Sequence, residues 1–272
     1  MNYELQGKRV LITGAARGIG REMVKGFLEQ GAVIVAADRD EVGLMETTSL
    51  YKGSVHSFIV DIADEESVLR LMAFAEEKLG GLDVCVNNAA VAPHAALLDE
   101  RVDVWDKVYA VNCRGTFLMT REAAKLMIGC GCKEGRIVNF SSSAASRGSA
   151  GGAAYASSRA AVESFSRCAA IELAQHGILV NVISPGLIDT QVKPLPPHMA
   201  QMLGARIPTL PLARPGEPSE VVELTMFLSS KACSYMSGCV YSVDGGASVG
   251  SRFSGTVVDD DIRYDWLTGV KR

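Results

Sequence analysis

The chain has 272 residues, 48% hydrophobic and 21% charged, enough for one large α/β domain that buries roughly three quarters of the surface its unfolded chain exposes. That composition excludes disorder, a collagen-like repeat and a small disulfide scaffold. Lys and Arg number 27 against 31 for Asp and Glu, and the resulting net charge of -4 argues against a nucleic-acid or anionic-membrane partner.

The N-terminal residues Met1-Asn-Tyr-Glu-Leu-Gln-Gly-Lys-Arg run into a strand by about residue 8, leaving no room for a charged and then apolar leader. No run of about 18 apolar residues follows that would span a bilayer, so the expected compartment is the cytoplasm. Seven short apolar or β-branched runs predict strands at 9–13, 33–37, 55–60, 83–86, 136–140, 179–183 and 239–243. Between them lie helical stripes, such as Ile19, Met23, Phe27 with Val24 and Leu28, or Val68, Leu71, Met72, Ala75 and Leu79. Several strands are apolar throughout, as parallel strands covered on both faces must be. The alternation predicts a Rossmann-type, doubly wound parallel sheet of seven strands with helices on both faces, in a single domain over 1–272. Its ligands belong at the carboxyl ends of the strands. The seven cysteines lack CxxC spacing, and most sit in apolar stretches where a thiol is a small core residue; no metal or redox role is expected of the close pair Cys130 and Cys132.

After the first strand comes Thr13-Gly14-Ala-Ala-Arg17-Gly18-Ile19-Gly20, opening the first helix. Glycines there permit a tight turn and let backbone N–H groups approach a pyrophosphate. Asp38 ends the next strand, eighteen residues after Gly20. A carboxylate in that place accepts the ribose hydroxyls of adenosine and repels a 2′-phosphate, which selects NAD. Arg17, inside the turn, and Arg39, directly after the acid, offer the competing attraction for a phosphate. Asp38 ranks above them, because a carboxylate facing a phosphate leaves two like charges desolvated together.

The spacing Gly14-x-x-x-Gly18-x-Gly20 is followed by Asp61 after strand three and Asn87-Asn88-Ala89-Ala90 after strand four. Ser142 then follows strand five, Tyr155 comes thirteen residues later, and Pro185-Gly186 follows strand six. Together these resemble the short-chain dehydrogenase/reductase family, over about residues 8 to 246. The resemblance implies an NAD(P)-dependent oxidoreductase of alcohols and ketones, assembled as a homotetramer or homodimer with contacts through long helices beginning near Trp105 and Ala154. It also implies that Asp61 and the backbone of Ile62 hold adenine, that Asn88 and Ala89 pass along the ribose, and that Ile188 and Thr190 orient the nicotinamide carboxamide. Ala90 stands where the family usually has glycine.

Moving a hydride to or from an alcohol carbon requires a group that exchanges the hydroxyl proton. Tyr155 is the candidate; a phenol ordinarily ionises near pH 10 and needs a neighbouring cation to work near neutrality. Ser142 would hold the substrate oxygen. Asn112 resembles the family asparagine that keeps a helix bent around a water chain. The family reads Tyr-x-x-x-Lys, whereas this chain reads Tyr155-Ala-Ser-Ser-Arg159. Arginine keeps the charge on the same helix face and still forks to ribose hydroxyls, but with a pKa above about 12 it cannot relay a proton. A slowed enzyme is expected, and the alternative is a catalytically weakened NAD-binding scaffold.

The pocket rim is expected from 91–97, from the Ala/Ser/Gly-rich stretch 143–154 and from the segment after Gly186, with His94 and Arg147 as solvated loop positions. That rim favours a small polar substrate, with sugar or polyol, hydroxy acid and alicyclic alcohol all open. Residues 190–218 hold seven of the nine prolines and read as a lid. The tail 247–272, with Phe253, Tyr264 and Trp266, is expected to pack across a neighbouring subunit.

Overall fold

Strand and helix alternate along the described residues. In this computed structural model, residues 2–49, 51, 53–190 and 203–251 are described. Strand β1 (Arg9–Thr13) leads to α1 (Gly18–Glu29), β2 (Val33–Asp38), α2 (Glu41–Ser49), β3 (Val55–Ile59), α3 (Glu65–Leu79) and β4 (Val84–Asn87). Helix α4 (Val102–Tyr109) runs through a π-helical turn (Ala110–Gly115) into α5 (Thr116–Gly129). Then come β5 (Gly135–Phe140), a 3₁₀ turn (Ser143–Ala145), α6 (Ala153–Leu173), β6 (Ile178–Pro185), α7 (Pro218–Ser229) and β7 (Val240–Val243). All seven strands pair in parallel in the order β3-β2-β1-β4-β5-β6-β7. The expected seven-stranded sheet is therefore present, and its winding reverses between β1 and β4.

Both faces of the inner strands β1, β2, β4, β5 and β6 are buried, which explains their apolar runs. Val10 and Ile12 of β1 pack with Ile34, Val86 and Val138 under Met23 and Phe27 of α1 and Val222 and Met226 of α7. Their neighbour Leu11 faces the other way, with Val35, Cys85 and Ile137, under Leu71 of α3 and Met119 and Met127 of α5. Ends are marked by local chemistry: Asp64 accepts from Ser67 N at 3.0 Å to start α3, and Gly80, at φ 70°, ends it. Among the described residues no helix is long and apolar enough to cross a membrane. The cysteines depart from expectation. All seven are unbridged and only Cys85 and Cys233 are buried, because apolar neighbours in sequence do not fix which face a thiol takes: Cys168 lies on the outer face of α6 and Cys239 just before an edge strand. Of the expected lid, 191–202 lie outside the described residues, as do 252–272 of the tail.

At the amino ends of the strands, Asp83 accepts three bonds from Arg9: Nε at 2.9 Å and the backbone N at 2.9 Å on Oδ2, and Nη2 at 2.7 Å on Oδ1. This ties the head of β1 to the entry of β4. Burial pushes the Asp83 carboxyl up, but the bonds from Arg9 outweigh it and hold the group below the usual carboxylate range. A depressed acid contributes its full stability above the unfolded value of about 4 and loses it as pH falls through the folded value. Asp83→Asn is expected to cost about 2 kcal/mol in urea unfolding at neutral pH, and the gap between variant and wild type should narrow as the pH is lowered below about 4.

Candidate active site

The turn after β1 is built on glycine because nothing larger fits. At Gly14, φ is +69° and a Cβ would stand 2.6 Å from Asn88 Nδ2 and 2.8 Å from Ala89 Cα. At Gly20 a Cβ would lie 1.8 Å from the Gly14 carbonyl oxygen. The chain thus doubles back tightly and leaves the first amides of α1 open. Asn88 locks this turn to the exit of β4: its Nδ2 donates to the carbonyls of Thr13 and Gly14, both at 3.1 Å, and its own N–H donates to Thr13 Oγ1 at 3.2 Å. Asp38, at the tip of β2, has both carboxylate oxygens fixed by backbone amides, Ala16 N on Oδ2 and Asp40 N on Oδ1, each at 3.0 Å. The carboxylate is thereby held in place while its remaining lone pairs stay free to accept.

These pieces wall a groove of about 820 Å³. Its lining contains Gly14, Arg17, Gly18, Ile19, Gly20, Asp38, Arg39, Asp61, Ile62, Asn88, Ala89 and Thr190, all expected from the sequence. Pro185, Gly186 and Ile188 lie beyond it: Gly186 N donates to Val243 O at 2.9 Å and Ile188 pairs with Gly216. The sequence reading missed Val104, Lys107, Val108 and Val111, which close the groove from α4 and the π turn. Their spacing is a helical stripe, and a helical stripe reads as core.

A second group of side chains gathers at the end of β5. Ser142 caps the 3₁₀ turn, its Oγ accepting from Ala144 N at 3.2 Å. Tyr155 stands half-buried on the first turn of α6, which packs against that turn. One turn on, Arg159 is 2% exposed. Its guanidinium carbon lies 5.3 Å from the centre of the Tyr155 ring, Nη1 donates to Phe140 O at 2.9 Å, and Nε is buried without a partner. Asn112, fully buried in the π turn, accepts from Val91 N and donates to Val91 O, both at 2.9 Å, and donates to Ser158 Oγ at 3.1 Å. Ser158 in turn donates to Tyr155 O at 2.8 Å. The asparagine thus joins the loop after β4 to the helix of Tyr155. Ser142, Tyr155 and Arg159 are not among the groove's lining residues. Of the rim positions, His94 is exposed and Arg147 donates to the Ala247 carbonyl.

A parallel sheet whose winding reverses beside a glycine-tight turn, with an acid closing the next strand, defines a dinucleotide-binding Rossmann-type fold. Residues 14–248 match the sequence profile of the family described as enoyl-(acyl carrier protein) reductase. The chain is similar to the 3-oxoacyl-[acyl-carrier-protein] reductase of Thermotoga maritima, 34% identical over 89% of this chain and 98% of that one. It is also similar to the sorbitol dehydrogenase of Cereibacter sphaeroides, 32% identical over 89% and 98%. A solved structure described as a putative short-chain alcohol dehydrogenase from Sinorhizobium meliloti superposes with a TM-score of 0.85 at 30% identity, over 92% of this chain and all of that one. The chain belongs to the short-chain dehydrogenase/reductase family of oxidoreductases, whose members use NAD(P).

Gly20→Ala should force the turn apart, since no side chain can yield to a backbone carbonyl at that distance. The expected result is a loss of dinucleotide affinity of at least about tenfold by fluorescence titration, with the helix content by circular dichroism retained. Unchanged affinity would mean that the groove does not hold the pyrophosphate.

Proposed function

We propose that the protein is an NAD-dependent oxidoreductase that interconverts a secondary alcohol and a ketone, with Tyr155 as general acid and base. The observation that carries this reading is the sealed Arg159 guanidinium beside the Tyr155 ring, with one carbonyl acceptor and an unpartnered Nε. The guanidinium holds a positive charge against the phenol ring, next to the group that exchanges the proton.

The residues present fit the dinucleotide. The Gly14–Gly20 cradle has no room for a Cβ, and Asp38 offers a fixed acceptor to ribose hydroxyls and repulsion to a 2′-phosphate. When bound, the nicotinamide accepts or gives the hydride. Tyr155 takes the hydroxyl proton of the alcohol or returns one to the ketone oxygen, while Ser142 holds that oxygen by a hydrogen bond. Asn112 fixes the entry of α6 through Ser158. Arg159 supplies charge and does not carry protons onward. Asp61 and Ile62 take the adenine, Asn88 and Ala89 the ribose, and Ile188 and Thr190 the carboxamide.

The names of the relatives, a sorbitol dehydrogenase and a 3-oxoacyl reductase, support chemistry at a secondary alcohol or its ketone, and the Ala/Ser/Gly stretch of the rim supports a small polar substrate. The exposed Ile171 on α6 and the partly exposed Phe117 and Ile128 on α5 support a homotetramer or homodimer through these helices. Placement in the cytoplasm is part of the same proposal. A weakened NAD-binding scaffold is the second reading, and Arg159 alone favours it.

NADH formation with a panel of secondary alcohols, beside NADH binding by fluorescence, tests the proposal. Tyr155→Phe should lose at least about a hundredfold in turnover while binding NADH as the wild type does; retained turnover would remove the tyrosine from the chemistry. Arg159→Lys should raise turnover about tenfold if the missing proton relay limits the rate, and an unchanged rate would show a site adapted to the guanidinium. Binding without turnover on any alcohol favours the scaffold. Tighter binding of NADPH than of NADH would overturn the role given to Asp38.

A further inference from the structure

The carboxyl end of β5 presents three consecutive residues to α6. Arg159 Nη1 holds the Phe140 carbonyl at 2.9 Å. Ser141 Oγ donates to Glu163 Oε1 at 2.7 Å and lies 3.3 Å from the Arg159 carbonyl oxygen. Ser142 follows directly. Arg159 and Glu163 are four residues apart, hence on one face of the helix whose first turn carries Tyr155. The two residues leading into Ser142 are thus gripped by two successive turns of the tyrosine's own helix. The grips differ in kind: the first reaches a backbone carbonyl, whereas the second joins two side chains and depends on their identity. A hydroxyl donating to a carboxylate makes a short, charge-assisted bond, and Ser141 is 4% exposed, so water competes for it poorly.

We infer that Glu163 is a positioning residue, which through Ser141 fixes the height of Ser142 relative to Tyr155 without touching substrate or dinucleotide. The inference rests on Ser142 and Tyr155 being the pair that handles the substrate oxygen. Without the bond, the tip of β5 keeps its ladder, the Phe140 carbonyl contact and the longer approach of Ser141 Oγ to the Arg159 carbonyl at 3.3 Å. Displacements of about 1 Å in such a pair cost up to about a hundredfold in rate.

The test uses the full chain in four variants: Glu163→Ala, Glu163→Gln, Ser141→Ala, and Glu163→Ala combined with Ser141→Ala. Turnover, KM for the alcohol, NADH affinity by fluorescence and amide hydrogen exchange at 141–145 are measured for each. Glu163→Ala should lower kcat about tenfold and speed exchange at 141–145, with NADH affinity within about twofold of wild type. Glu163→Gln, which keeps an accepting Oε1, should restore both to within about threefold. The double variant should be no worse than Ser141→Ala alone, because that change already removes the bond to Glu163. The inference is overturned if Glu163→Ala leaves exchange at 141–145 unchanged, if Gln is as impaired as Ala, or if the double variant loses the product of the two single losses. Absence of turnover in the wild type, or full turnover in Tyr155→Phe, would sink the reading of the active site separately; the exchange measurement still decides whether Glu163 holds the Ser142 segment.

Discussion

Parallel pairing across all seven strands obliges every crossover to return to the same edge of the sheet, and the reversal of winding between β1 and β4 opens a groove on that edge. Everything chemical follows from this constraint. The β1 turn, the acid on β2, the asparagine after β4 and the serine after β5 come from distant parts of the sequence, yet each sits just past the carboxyl end of a strand. The opposite edge carries the Arg9–Asp83 pair, which anchors the two strands flanking the reversal. Rigidity at one edge is what allows loops at the other to hold a defined geometry.

The second determinant is a charge in an expensive place. Burying a guanidinium without an acid forfeits hydration that one carbonyl and one aromatic face replace only in part. Arg159 nevertheless sits under Tyr155, with its Nε unsatisfied. A lysine there would present a compact ammonium with three rotatable donors, whereas the planar fork of arginine reaches the β5 carbonyl and stiffens the junction of β5 and α6. Compared with a lysine, Arg159 is a fixed charge that also braces the strand.

Much of this was legible in the sequence, for identifiable reasons. Strands covered on both faces are largely apolar, so 33–37 stood out; β6 runs on to Pro185 because its end is still paired with Val243. The glycines at 14, 18 and 20 are required by steric contacts within a few residues of one another in space, and such requirements mark the sequence strongly. The π turn at Ala110–Gly115 left no mark in composition, and only the resemblance carried by Asn112 pointed to a bend there, since the apolar stripes of α4 and α5 continue on either side and one slipped hydrogen bond has no compositional signature. The groove contacts of Val104, Val108 and Val111 were hidden for a related reason: a stripe facing a cofactor groove is written like a stripe facing a core. The bond between Ser141 and Glu163 joins residues 22 apart and is visible only when strand and helix are assembled.

The account turns on Tyr155 and Ser142 converging on one substrate oxygen beside a bound dinucleotide. A crystal structure of the protein with NAD and a ketone or alcohol ligand tests that convergence directly. The account predicts Tyr155 Oη and Ser142 Oγ both within about 3.2 Å of the ligand oxygen, with the Arg159 guanidinium still beside the tyrosine ring. A ligand oxygen held by other groups, with Tyr155 Oη turned away, would contradict it.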